Sequence, residues 1–157
     1  MIAAETLRGR SIRLPDGLAG ERNLLVIAYE RDQQADVDTW LVALGNLELA
    51  PPEFSYYELP TIGGGMRFMR PVIDAGMRRG IRDRQQRDRV ITLFLDKDWF
   101  RGQVGTAHTD DIAALLVDRE GWILHRWFGA CDERKGAELR EVLVGGKSPD
   151  QPSSESR

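Results

Sequence analysis

"LLVIAYERDQQADVDTWL", residues 24–41, is the stretch that decides the fold. Leu24 to Tyr29 is apolar without alternation, the pattern of a central strand covered on both faces. Beyond a short polar joint, Val37, Trp40, Leu41 and Leu44 fall at i, i+3, i+4 and i+7, so they share one helical face. Asp32 or Gln33 stands near the start, and Asp32, Asp36 and Asp38 lie close to the positive end of the helix dipole. The spacing predicts a buried strand feeding a helix over about 33–47. The joint itself reads Tyr29-Glu30-Arg31-Asp32-Gln33-Gln34 and holds no cysteine.

Strands and helices alternate to either side. "SIRLP" at 11–15 predicts a short strand and "DGLAG" at 16–20 a turn. "EFSYYELP" at 53–60 predicts another strand, followed by a glycine loop at 61–65. Met69, Val72, Ile73, Gly76 and Met77 repeat at helical spacing, with Pro71 suited to the first turn and Gly80 to the stop, which predicts a helix over about 69–80. "RVITLFLD" at 89–96 is strand-like, and "KDWFRGQVG" reads as a helical turn running into a loop. Residues 111–129 read as an antiparallel hairpin turning at Asp118-Arg119-Glu120-Gly121, with glycine supplying a positive φ. Asp132 is placed to cap a closing helix that runs to about 144.

Composition limits the possible functions. The 157 residues are 41% hydrophobic and 30% charged, as in one ordinary globular domain. The expected division is an N-terminal extension at 1–10, one α/β domain at 11–144 and a disordered polar tail at 145–157. A net charge of −3 gives no global case for nucleic acid. No apolar run approaches the ~20 residues of a membrane span, and the N-terminal stretch has no apolar region ahead of a cleavage site. With a lone cysteine, Cys131, these features place the expectation in the cytoplasm.

The order of elements, a mixed sheet with helices on both faces, resembles the thioredoxin-like fold. "LRGRSIRLPDGLAGERNLLVIAYE" is similar to the entry of that superfamily, and "LLVDREGWILHRWFGACDERKGAELREVL" to its exit. The resemblance implies a three-layer architecture with its chemistry at the end of the central strand and the start of the next helix. Residues 29–35 hold no thiol there, and the cis-proline position falls on Ile112. Disulfide exchange needs both a stabilised thiolate and that shaped backbone, so a dithiol oxidoreductase is not expected. A narrower resemblance is to the mitochondrial ATP synthase assembly factor 10 family. It rests on Val37-Asp38-Thr39-Trp40, Tyr57-Glu58-Leu59-Pro60, the Arg-rich segment Gly76 to Ile81 and the hairpin Leu116 to Ile123. That resemblance implies a chaperone or assembly role toward a membrane-sector subunit, without catalytic residues or cofactor.

Charge supplies the candidate surface. Eight arginines face three acids between Met66 and Val90. Arg67, Arg70, Asp74 and Arg78 fall on one helical stripe opposite the methionine face, as either a solvated face with Asp74 paired to Arg70 and Arg78 or a recognition surface. Arg67, Arg70, Arg78, Arg79 and Arg82, with Trp99 as an exposed edge, are the candidate binding residues. Tyr29, Glu30, Arg31 and Asp32 form a degenerate active-site joint, read as a salt bridge and helix cap. The other three tryptophans, Trp40, Trp122 and Trp127, are expected in the core. His108 and His125 lack neighbours at ligand spacing, so no metal is expected.

The leading expectation is a noncatalytic protein-binding or assembly module. One alternative is a one-cysteine redox protein using Cys131. Another is an anionic-ligand module, for acidic partners or lipid headgroups, acting through segment 67–89.

Overall fold

The computed structural model describes residues 2–45, 53–81, 84–106 and 109–145. In chain order these form β1 (Ile2–Thr6), β2 (Ser11–Leu14), β3 (Arg22–Ala28), α1 (Gln34–Leu44), β4 (Phe54–Ile62), α2 (Arg70–Gly80), α3 (Arg84–Arg89), β5 (Ile91–Phe94), α4 (Lys97–Val104), β6 (Ala113–Asp118), β7 (Ile123–Phe128) and α5 (Glu133–Gly145). One sheet runs β2-β1-β5-β4-β3-β6-β7. The β3–β4 and β4–β5 pairs are parallel and the other four antiparallel, giving the mixed sheet expected from the sequence.

β3 is flanked on both sides and covered on both faces, which is why its apolar residues do not alternate with polar ones. Leu24 and Val26 face one core, with Val37, Trp40 and Leu44 of α1 and Leu139, Val142 and Leu143 of α5. Ile27 faces the other, with Leu59, Ile91, Leu93 and Leu115 of the sheet and Phe100 and Val104 of α4. Burying each such side chain stabilises the fold by ~1.5–3 kcal/mol, so the two cores together fix the three layers. The hairpin turns as expected: Gly121 has φ +89, and the Asp118 carboxylate accepts from the backbone N–H of Glu120 and Trp122 at 3.0 and 2.9 Å. Asp132 caps α5 by accepting from the Lys135 N–H at 2.8 Å.

Four expectations change. Residues 2–6, set apart as part of an extension, are β1, which pairs with β2 and β5 inside the sheet. "IAAET" is short and weakly apolar, and its place depends on β5, which arrives much later in the chain. The glycine loop is shorter than expected: β4 continues to Ile62, and Gly64–Met69 is a 3₁₀ helix leading into α2. Trp122 is exposed at the hairpin while Trp40 and Trp127 are buried, so the core takes two of the four indoles. The polar stripe is not a uniformly solvated face: Arg67 is exposed, Arg70 and Arg78 are half-buried and Asp74 is buried, while Val72 of the apolar set is exposed. Helix α1 ends at Leu44, and the last residues of the helix expected over 33–47 lie outside the described residues, as do residues 146–157 of the tail.

Candidate functional site

The joint begins where β3 ends and is held by one side chain. Gln33, the last residue of a 3₁₀ turn spanning Arg31–Gln33, is buried. Its carbonyl oxygen accepts from the backbone N–H of Tyr29 at 2.8 Å and of Glu30 at 3.1 Å. Its amide donates to the carbonyl of Thr109 at 2.7 Å, in the segment ahead of β6. A primary amide carries both a donor and an acceptor, so it satisfies both walls of this seam. Without it the buried Tyr29 N–H would have no partner, at about 1–3 kcal/mol.

The surrounding groups tighten the same closure. Lys97, at the start of α4, donates to the Tyr29 carbonyl at 2.6 Å and lies 3.6 Å from the Glu30 carboxylate. The Tyr29 hydroxyl, buried, lies 3.1 Å from the Thr106 hydroxyl, and burial raises its pKa above the usual phenol value. The expected salt bridge at Glu30 is therefore present, while Arg31 and Asp32 are exposed. The cap of the 3₁₀ turn is Glu30, in a reciprocal capping box with Gln33, and not Asp32. Sequence reading missed Gln33 because its distant partner is a backbone carbonyl 76 residues away, which leaves no side-chain signature. Beyond the first turn of α1, Glu58 of β4 is buried and accepts from Gln34 at 3.3 Å. Burial pushes its carboxyl above the usual glutamate range.

Cys131 lies at the same end of the sheet, beyond β7. Its backbone N–H donates to the Thr39 hydroxyl at 2.8 Å, and Thr39 is six residues past Gln33, roughly 9 Å along the axis of α1. Partial burial, reinforced by the neighbouring Asp132 carboxylate, raises the thiol above its ordinary value. Lys135 and Arg140 offset only part of that rise. Such a thiol is held protonated, the opposite of an activated nucleophile.

The arginine segment is bound to the protein itself. Arg67 donates to the Phe94 carbonyl at 2.7 Å, Arg78 to the Leu7 carbonyl at 3.1 Å, and Arg87 to the carbonyls of Ile81 and Arg78 at 2.5 and 2.8 Å. Arg89 bonds Ser55 and the Tyr56 carbonyl, each at 3.2 Å, and stacks over the Tyr56 ring at 4.3 Å. Arg70 lies 4.7 Å above the Phe94 ring, 3.5 Å from Glu5 and 3.9 Å from Asp74. Arg79 is exposed, and Arg82 is outside the described residues. Trp99 is exposed, with Phe100 beside it buried in the core. Trp99 and the joint residues thus belong to the α4 end of the molecule, whereas Arg67, Arg70 and Arg78 lie over β1 and β5.

Arg67 and Arg70 also form one wall of a groove of about 700 Å³, whose floor is the uncovered part of β1 and β2 with Glu5, Ser11 and Arg13. Sequence reading passed over Glu5 because residues 1–10 were set outside the domain. Among the described residues no cluster of His, Cys, Asp or Glu could hold a metal ion, and no helix is long and apolar enough to cross a membrane. His125 stacks on Trp127 at 4.1 Å and its Nε2 lies 3.8 Å from Glu138; His108 is outside the described residues.

No protein-family model and no curated protein matches the chain. Solved structures do. The exposed lipoprotein thioredoxin Etrx1 of Streptococcus pneumoniae superposes with a TM-score of 0.61 at 12% identity, over 92% of this chain and 98% of that one. The thioredoxin domain of a thiol-disulfide oxidoreductase from Bacteroides vulgatus gives 0.57 at 16% identity, over 90% and 92%. An uncharacterized conserved protein from Geobacillus kaustophilus gives 0.60 at 17%, over 96% and 82%. Identity this low speaks for architecture alone: the chain has a thioredoxin-like fold, with an amide filling the seam between strand, helix and the loop before β6.

Proposed function

We propose that this chain is a noncatalytic thioredoxin-like module that works by binding another protein. The Gln33 amide carries the proposal. It occupies, with three hydrogen bonds, the seam where the resemblance places a thiol, and so supports a frame kept for its shape. The raised thiol of Cys131, two helical turns away, argues in the same direction. The finer form of the proposal, drawn from the sequence resemblance, is a chaperone or assembly role toward a membrane-sector subunit of an ATP synthase. A cytoplasmic location, suggested by the single cysteine, belongs to the same proposal.

Two measurements test it. In a thiol-exchange assay with a disulfide-bonded protein substrate and excess dithiol, wild type and Cys131→Ser both stay at background. Activity well above background that disappears in Cys131→Ser overturns the noncatalytic reading. Affinity capture from the native host recovers a discrete protein partner in equal yield with either chain. A partner that is no ATP synthase subunit overturns only the finer form.

A further inference from the structure

The groove beside α2 is built differently from the rest of the surface. On that face of the sheet the apolar core formed with α1 and α5 centres on β3 and β6, and the 3₁₀ helix and α2 lie against β5. The alternating residues Ala3 and Glu5 of β1 and Ser11 and Arg13 of β2 are left as a floor, with β2 the edge strand of the sheet. The wall is Arg67, Arg70 and the Phe94 ring. Three guanidinium groups face one carboxylate. The exposed Arg13 guanidinium has no hydrogen bond or ion pair among the described residues, and Arg67 commits only one of its five donors there, to Phe94. Arg70 is shared between Glu5 and Asp74.

The segment that carries Arg67 and Arg70 also exposes apolar side chains. Phe68, next to Arg67 in the chain, is 76% exposed and Val72 63% exposed, with Met66 also open. Basic groups in a channel floored by extended strands, with the exposed Phe68 one residue from Arg67, suit one kind of occupant. We propose that this groove receives an extended acidic segment of a partner protein, its carboxylates on Arg13 and Arg67 and an apolar side chain on the exposed Phe68. Charge complementarity selects the sign, bidentate guanidinium–carboxylate pairing sets the register, and the exposed Phe68 ring supplies the anchor. The assignment rests on the binding-module reading and gives it a location.

The test uses the full chain and a fluorescein-labelled twelve-residue peptide of alternating glutamate and leucine, read by fluorescence anisotropy. Saturable binding is expected, weakened about tenfold by Arg13→Glu and severalfold by Phe68→Ser. Both residues are exposed, so both variants are expected to keep the wild-type Tm. A glutamate–serine peptide should bind more weakly and a lysine–leucine peptide not at all. The assignment is overturned if the acidic peptide does not bind, if the basic one binds as well, if neither variant weakens binding, or if only phosphatidylglycerol vesicles are bound. Undiminished capture of the native partner by the Arg13→Glu, Phe68→Ser double variant also overturns the groove, while leaving the binding-module reading intact. Thiol-exchange activity that depends on Cys131 does the reverse.

Discussion

Helices α1 and α2 have the same length, eleven residues, and are held to the sheet by different physics. α1 packs on the central strand through Val37, Trp40 and Leu44, and the Trp40 indole donates to the Gly129 carbonyl at 3.0 Å. α2 packs near the β1–β2 side and buries no apolar side chain completely; its buried residue is Asp74. Arginines reaching backbone carbonyls and ring faces tie that region down: Arg67 to Phe94, Arg78 to Leu7, Arg70 over Phe94. Where two layers enclose a strand, apolar area does the holding. Toward the sheet edge there is less to bury, and long cationic side chains cover the apolar surface with their stems while their heads find acceptors. The consequence is a helix seated by mixed contacts, with Ile73 and Met77 half-buried beside Asp74 and with Val72 and neighbouring Phe68 turned outward.

The largest expected effect breaks the comparison at its apolar end. Trp40→Ala should cost about 3–5 kcal/mol in chemical denaturation, because it removes a fully buried indole from between two helices and the sheet. Val72→Ser on α2 should stay within about 0.5 kcal/mol of wild type, since Val72 is exposed. Comparable losses from both would mean that Val72 is packed as the apolar residues of α1 are, and would refute the contrast between the two helices.

That mixed seating of α2 is also where the sequence stopped being legible. The run Leu24–Tyr29 and the face Val37, Trp40, Leu41, Leu44 located β3 and α1, because a strand covered twice and a helix on a core leave patterns that only burial explains. On α2 two stripes were visible, but spacing alone does not say which stripe meets the sheet. Both meet it in part: Met77 reaches Thr92 of β5 while Asp74 is buried, because the sheet edge offers too little apolar surface to bury one stripe alone. β1 was hidden for a related reason: a five-residue strand of Ile, Ala, Ala, Glu and Thr carries little signal until β5 is beside it. Gln33 escaped because one glutamine at the end of a polar joint looks like any other loop residue. Its role depends on the Thr109 carbonyl, a partner set by tertiary structure.

A smaller effect should come from the polar fastening of α2. Arg78→Met keeps the aliphatic stem and the helix propensity but deletes the donor to the Leu7 carbonyl. The expected cost is about 1–2 kcal/mol, read as a lower denaturant midpoint with unchanged slope. Arg79→Met, one position along and exposed, should change stability by less than about 0.5 kcal/mol. If the two arginines behave alike, the carbonyl bond contributes nothing and the segment is a solvated face after all.

The smallest effect concerns Asp74, the carboxylate beneath this helix. Burial raises its pKa above the ordinary aspartate value, and Arg70, the Thr92 hydroxyl and Arg78 pull it back only in part, while Glu5 adds to the rise. A raised carboxylate binds its proton more tightly in the folded chain than in the unfolded one. Its contribution to stability is therefore fully present below the ordinary aspartate range and is lost as pH rises through the folded-state value. Asp74→Asn removes that loss, so the variant should melt above wild type at neutral pH, with the gap closing as pH falls toward the ordinary range. Thermal melts of both chains from neutral to mildly acidic pH read the difference directly. A variant that melts below wild type at neutral pH, and recovers on acidification, would mean that the ion pair with Arg70 outweighs burial. Charge pairing, and not the cationic stems and carbonyl bonds, would then be what fastens α2.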